Sequence, residues 1–109
     1  MTEEIKVKVS SSNVFADLGL PNSDEMLVKA ELASKIGEII EVRNLTQMEA
    51  AEILNIDQPK VSALIRGRLT GFSTERLFRF LNALGSDVEI SVKPKPESRS
   101  AGITTVIEN

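Results

Sequence analysis

The sequence contains no cysteine, no histidine, no tryptophan and no tyrosine. Without cysteine the chain has no disulfide framework, no thiolate nucleophile and no zinc–thiolate cluster. Without histidine it lacks the commonest general base and the commonest metal ligand. Most familiar nucleophilic and metal-assisted reactions are therefore excluded. Carboxylate-only acid/base or magnesium chemistry stays open, but the sequence carries no motif for it, so we expect no enzyme, no cofactor and no metal.

The chain also lacks a long apolar run, so we expect no segment to span a membrane. Its first ten residues carry two glutamates, where a secretory signal peptide would carry positive charge. We therefore expect a cytoplasmic protein. Apolar residues make up 41% and charged residues 27% of the 109 positions, which is typical of one small globular domain. All four aromatic residues are phenylalanine, so the core should be mostly aliphatic.

Composition and patterning divide the chain into four regions. Residues 1–22 form an N-terminal arm, and residues 23–86 form a helical domain. Residues 87–93 are predicted to be a C-terminal strand, which two prolines end. Residues 94–109 are polar and contain glycine and proline, so we expect a flexible tail.

Two stretches show the alternation of apolar and polar residues that is typical of a half-buried strand. Their apolar positions are Ile5, Val7 and Val9 in the arm, and Val88, Ile90 and Val92 after the helices. Because an unpaired strand edge attracts a partner, the second strand should pair with the first or with its own copy across a two-fold axis. Either pairing would build a homodimer.

Start and stop signals predict four helices in the helical domain. The start signals are Ser23 followed by acidic residues, a Thr46–Glu49 capping box, Asp57 before Pro59, and Ser73 or Thr74. The stop signals are Asn44, Asn55, Gly67 and Gly85. Gly37, inside the first helix, is interpreted as a close-packing position.

The second and third helices have the layout of a helix-turn-helix. Their three-residue turn opens with Asn55, which tolerates a left-handed backbone, and Ala51 is small enough for the helices to approach. The inward positions are all apolar: Ala50, Leu54, Ile56, Val61 and Leu64. In this motif the second helix lies in the DNA major groove.

The stretch LTQMEAAEILNIDQPKVSALIRGRL resembles the XRE family, the lambda Cro and repressor-like helix-turn-helix domains. The matching positions are Leu45, Thr46, Gln47, Ala50, Ala51, Leu54, Ile56, Gln58, Val61, Ser62 and Gly67. Asn55 stands where the family usually has glycine. The resemblance covers residues 13–93 and implies a mostly α, lambda repressor-like bundle of four to five helices with a short flanking β-strand.

The segments on either side of the motif look like small HigA-like antitoxins, which pair with HigB/RelE-type toxins. That resemblance implies a sequence-specific repressor that neutralises a basic, mRNA-cleaving toxin and autoregulates its operon. Two alternatives stay open: a stand-alone phage-type regulator without a toxin, and a protein-binding module only. A short, basic neighbouring reading frame would favour the antitoxin.

Charge is distributed in a way that favours DNA binding, although the whole chain has a net charge of -3. Residues 1–42 carry four basic and eight acidic side chains, whereas residues 60–80 carry five basic and one acidic. Affinity for DNA comes largely from neutralised phosphates, so a local basic segment on an acidic chain is informative.

Each candidate DNA-binding residue has a predicted role. Gln47 would hold a phosphate, as in the family, and Gln58 could read adenine through two hydrogen bonds. Lys60 could reach a guanine edge or a phosphate, whereas Arg66 and Arg68 suit phosphates better than bases. The remaining candidates on the recognition helix are Pro59, Ser62 and Ala63, the last against a thymine methyl group.

We expect a homodimer on a palindromic, double-stranded operator, because one helix-turn-helix contacts only a few base pairs. The apolar arm at residues 1–22 either folds back onto the bundle or joins the acidic first helix in binding a basic toxin.

Overall fold

The computed structural model describes residues 23–107, in which the regular structure is four α-helices. They are α1 (Ser23–Val42), α2 (Gln47–Leu54), α3 (Gln58–Ile65) and α4 (Thr74–Ala83). The prediction of a mostly helical fold is confirmed, and the described part holds four helices rather than five. The arm at residues 1–22, with its predicted strand, lies outside the described residues. Within the described range no helix combines the length and apolar character needed to cross a lipid bilayer.

The helix boundaries arise from hydrogen bonds between residues close in sequence. The side chains of Thr46, Asp57 and Ser73 each accept a hydrogen bond from the backbone N–H three residues later. Left-handed residues end the helices: φ is 57° at Asn44 and 58° at Asn55. Gly67 and Gly85, with φ of 78° and 94°, do the same after α3 and α4. The start signals at Thr46, Asp57 and Ser73 and the four stop signals are therefore confirmed, and each one satisfies amides or carbonyls that a helix end leaves unpaired. The first helix begins at Ser23, as predicted.

The helices between Lys29 and Glu89 form one compact unit. Its core is apolar, and no polar or charged side chain is buried among the described residues. The largest side chains that are almost completely buried come from α1, α3 and α4: Ile36, Val61, Leu64 and Leu77. Helix α2 adds the buried residues Ala50, Ala51 and Leu54. The C-terminal end of α4 is tied to the loop after α1, because Arg43 Nη1 donates to the Leu84 carbonyl at 3.0 Å.

The predicted strand at residues 88–92 is absent from the described part of the chain. These residues have no ladder partner there, and Ile90 and Val92 are 73% and 91% exposed. A strand exists only when a neighbouring chain segment accepts and donates its backbone hydrogen bonds. The alternating pattern shows that these residues suit a sheet, but the described residues supply no neighbour.

The interpretation of Gly37 as a close-packing position is wrong. A Cβ atom added at Gly37 would meet no other atom within 4 Å, and its φ is not left-handed. Nothing around Gly37 in the described structure requires a glycine, so the residue only lowers the helix propensity of α1.

The second compact unit contains the start of α1 and the C-terminal segment. Residues 90–107 form neither helix nor strand. The backbone N–H of Thr104 donates to Asp24 Oδ2 at 3.4 Å, and the Arg99 N–H donates to the Pro96 carbonyl at 3.2 Å.

Candidate nucleic-acid interface

The N-terminus of α2 is held by a reciprocal pair of hydrogen bonds. Thr46 Oγ1 accepts from the Glu49 N–H at 3.0 Å, and Glu49 Oε1 accepts from the Thr46 N–H at 2.8 Å. This capping box fixes the conformation of the first turn, where Gln47 is the first helical residue and is half-buried. Gln47 therefore stands at the end of α2 that carries the positive pole of the helix dipole, which suits its predicted phosphate contact.

The turn between α2 and α3 is built from Asn55, Ile56 and Asp57. Asn55 is left-handed, and the N–H groups of Asn55 and Ile56 both reach the Ala51 carbonyl, the second at 3.1 Å. Asp57 Oδ1 then accepts from the Lys60 N–H at 3.1 Å and begins α3. Since Ala51 is buried, its small side chain lets α2 and α3 pack closely, as the sequence predicted.

Helix α3 separates an inward face from an outward face within eight residues. Val61 and Leu64 are almost completely buried, at 0% and 1% exposure. The outward residues at the start of the helix are Gln58, Pro59 and Lys60, all exposed, and Ser62 and Ala63 are half-buried. The structure thus presents Gln58 and Lys60, two of the side chains predicted to read bases, at the start of α3, whereas Ala63 lies further along the helix.

Arg66 and Arg68 follow α3 in a tightly hydrogen-bonded turn. The Gly67 N–H donates to the Leu64 carbonyl at 3.2 Å, and the Arg68 N–H donates to the Ala63 carbonyl at 2.9 Å. Both arginine side chains are exposed. No carboxylate within residues 23–107 lies within ion-pair distance of either one. Their backbone is fixed and their charges face solvent, which is the arrangement a phosphate contact needs.

An open groove of about 610 Å³ runs beside the start of α3. Its lining includes Glu52 and Asn55 from the α2 side, and Gln58 and Lys60 from α3. It also includes Arg76, from the first turn of α4. The structure therefore brings Arg76 beside two of the predicted base-reading residues.

Sequence reasoning counted Arg76 as one more local charge and gave it no role in the site. Its guanidinium carbon lies 5.1 Å from the centre of the Phe72 ring and 5.4 Å from that of Phe80. The signal in the sequence was a phenylalanine four residues before and four residues after the arginine. On a helix that spacing places side chains on one face, but Phe72 precedes α4, so only the fold brings it into contact.

The described residues show no group of three or more carboxylates that could bind a metal ion. Around the start of α3 the site holds the cationic side chains of Lys60 and Arg76 and the amides of Asn55 and Gln58, together with the carboxylates of Glu52 and Asp57. Cationic and amide groups bind phosphates and base edges by charge and hydrogen bonding, without any chemical reaction.

Comparisons with known proteins agree with this geometry. A family model described as a helix-turn-helix domain matches residues 14–93. A solved structure of an XRE family transcriptional regulator is similar to this chain, with 45% sequence identity and a TM-score of 0.77. The similarity covers 82% of this chain and 100% of the solved one. No curated protein matches the chain.

The family match, the solved relative and the exposed polar start of α3 together support a DNA-binding regulator. The family match extends beyond α2 and α3 to the residues before α1 and after α4. The chain therefore belongs to the XRE family of helix-turn-helix proteins.

Proposed function

We propose that the protein is a sequence-specific transcriptional repressor that binds a palindromic DNA operator. The observation that carries this proposal is the start of α3, where Gln58 and Lys60 are exposed on a helix whose opposite face is buried. A rigid helix start with amide and ammonium groups can enter the major groove and hydrogen-bond to base edges. The lack of histidine and cysteine favours a binding protein over an enzyme.

In this proposal, bases and phosphates are contacted by different residues. Gln58 reads adenine, Lys60 reads guanine or a phosphate, and Ala63 touches a thymine methyl group. Gln47, Arg66 and Arg68 hold the phosphates on either side. The exposure of both arginines and the capped position of Gln47 support this division.

Titration of labelled DNA at several salt concentrations tests the division. Gln58→Ala should weaken binding to the cognate operator by about 1–3 kcal/mol and change binding to random DNA little. The double variant Arg66→Ala, Arg68→Ala should weaken binding to the operator and to random DNA alike. The slope of log affinity against log salt concentration should fall by about one unit for each phosphate that is no longer neutralised. Equal weakening of both DNAs by Gln58→Ala would contradict the base-reading role. The operator itself is found by gel shift on the protein's own promoter.

We further propose that the repressor acts in the cytoplasm as a homodimer whose contact includes residues 88–92. One helix-turn-helix reads too few base pairs for specific binding, so two half-sites about 34 Å apart are the usual solution. The exposure of Ile90 and Val92 supports this contact, because exposed apolar side chains at alternate positions suit strand pairing.

Sedimentation with Ile90→Lys tests the dimer contact. A lysine on the paired face should shift the protein to monomer and reduce operator affinity, while the helical content stays unchanged. Ser91→Lys adds the same charge at the neighbouring exposed position, which would face the opposite side of a paired strand, and is expected to leave the dimer intact. A dimer that persists in Ile90→Lys would move the contact elsewhere.

We propose, finally, that the repressor is the antitoxin of a toxin–antitoxin pair that autoregulates its operon. The support is the resemblance of the flanking segments to HigA-like antitoxins and the acidic character of α1, which carries five acidic and two basic side chains. The apolar arm at residues 1–22 would hold the toxin, and the acidic surface of α1 beside it in the sequence would attract this basic ribonuclease and compete with its RNA substrate. The stand-alone regulator differs only in having no toxin.

A deletion of residues 1–22 separates the two activities. It should abolish inhibition of a toxin encoded beside the gene while operator binding and the helical circular-dichroism signal persist. Full inhibition by the shortened protein would place the toxin contact in the helices or the C-terminal segment. A neighbouring gene product that neither binds the protein nor cleaves RNA would favour the stand-alone regulator.

A further inference from the structure

The guanidinium of Arg76 is held in place by three contacts. Its Nη1 donates to the Gly71 carbonyl at 3.2 Å, and its cationic centre lies near the rings of Phe72 and Phe80. Both rings are buried and meet edge to face, with centroids 6.0 Å apart. A cation near two aromatic rings is attracted by their quadrupoles, so these contacts favour one arrangement of the side chain before any ligand arrives.

The charge of Arg76 has no carboxylate partner within the described residues. Arg79, three positions later on the same helix, differs in this respect, because its Nη2 lies 3.8 Å from Glu75 Oε1. A guanidinium has five N–H donors, and a single hydrogen bond from the Arg76 guanidinium is seen in the described structure. Arg76 therefore offers an ordered cation with unused donors, whose planar fork suits a phosphate group.

The location of Arg76 determines which phosphate it could meet. It lines the open groove that Gln58 and Lys60 line from the start of α3. If α3 enters the DNA major groove by that end, a cation beside the start of α3 comes within reach of the sugar–phosphate backbone at the edge of the major groove. We propose that Arg76 is a pre-ordered contact to one DNA phosphate in each half-site. This inference rests on the proposed DNA-binding function.

Pre-ordering distinguishes Arg76 from Lys60, Arg66 and Arg68, whose side chains make no hydrogen bond, ion pair or ring contact with the described residues. A long side chain that binds a phosphate normally loses rotamer freedom on binding, and this loss reduces the net affinity. The contacts of Arg76 with the Phe72 and Phe80 rings restrict that freedom in the unbound protein. Its phosphate contact should therefore contribute at least as much affinity as that of an unrestrained arginine.

The salt dependence of DNA binding tests the proposal with a matched pair of variants. Arg76→Met removes the charge but keeps an apolar side chain against the two rings, and Arg79→Met removes a charge that already has a carboxylate partner. We expect Arg76→Met to lower the salt slope by about one unit and the affinity at 0.1 M salt by about tenfold, on cognate and random DNA alike. Arg79→Met should leave both close to the wild-type values.

The outcomes separate this proposal from the function on which it rests. Wild-type protein without salt-dependent DNA binding would overturn both. Wild-type binding with an unchanged slope in Arg76→Met would overturn the Arg76 contact alone. A slope that falls equally in the two variants would also overturn it, because a general loss of charge would then explain the effect.

A second measurement applies if thermal melting shows that Arg76→Met is unfolded at the assay temperature. Single phosphates of the operator are replaced by neutral methylphosphonates, and binding is compared between wild-type protein and Arg76→Lys, which keeps the charge but loses the fork. Replacing one particular phosphate in each half-site should weaken DNA binding by the wild-type protein more than DNA binding by Arg76→Lys. Identical patterns for the two proteins would overturn the proposal.

Discussion

The helix-turn-helix and the segment at residues 88–92 both carry clear sequence patterns, yet only the first forms the predicted element. In the helix-turn-helix, every start and stop signal makes its expected hydrogen bond, from the Thr46 capping box to Gly67. In the segment, three alternating apolar residues form no strand within the described structure. A helix is completed by bonds to residues three to five positions away, whereas a strand needs a second segment.

The two regions also differ in what they leave exposed. Helix α3 buries its apolar side chains and exposes amide and charged groups, which are ready for a polar ligand. The segment instead exposes Ile90 and Val92 to solvent. A surface of the first kind is complete within the described residues, and a surface of the second kind favours contact with a further segment that the described residues do not supply.

The largest effect is expected inside the helix-turn-helix. Leu64→Ala should lower the free energy of unfolding by about 2–5 kcal/mol, because Leu64 is almost completely buried and its truncation leaves a cavity. Urea denaturation monitored by circular dichroism measures the change. The exposed neighbour Ile65 serves as the control, and Ile65→Ala should cost clearly less. Similar costs at both positions would contradict the packing described for α3.

A smaller effect is expected at the turn. Asn55→Val should cost about 1–2 kcal/mol, because a β-branched side chain clashes with the backbone in the left-handed region that Asn55 occupies. Asn55→Gly is the matched variant and should leave the stability equal or higher, since glycine adopts that conformation without a clash. Thermal melts of both variants decide the question, and a stable Asn55→Val would mean that the turn is not left-handed in solution.

A gain of about 0.5–1 kcal/mol is expected for Gly37→Ala. Alanine has the higher helix propensity, and the position has open space around it. The melting temperature should rise by a few degrees. A fall in stability would restore the interpretation of Gly37 as a close-packing position and indicate a neighbour outside the described residues.

The smallest effect is expected in the 88–92 segment. Ile90→Thr should change the free energy of unfolding by less than about 0.5 kcal/mol at concentrations where the protein is monomeric, because the side chain is exposed. If the segment pairs between copies, the free energy of unfolding should rise with protein concentration more for the wild type than for Ile90→Thr. The same denaturation series, repeated at several protein concentrations, measures this difference. A large loss of stability in the monomer would instead place Ile90 against its own chain.

Part of the candidate site followed from the sequence alone. The order Thr46–Glu49, Asn55, Asp57 and Gly67 predicted two capped helices and the turn between them, and the spacing of Val61 and Leu64 predicted which face of α3 is buried. The contribution of Arg76 did not follow from the sequence. Phe72 and Phe80 each lie four residues from Arg76 in the chain, but Phe72 precedes α4, so the spacing alone does not predict that it contacts Arg76. Its contact depends on how Gly71 and Phe72 enter the bundle.

The sequence by itself determined where the helices begin and end and which side chains of α3 face inward, since caps and helical periodicity act over a few residues. The tertiary structure decided that Gly37 lies in open space and that residues 88–92 have no strand partner among residues 23–107. It also decided that Arg76 lines the same groove as Gln58 and Lys60. Each of these depends on residues far apart in the chain, and local physical chemistry does not specify how such residues meet.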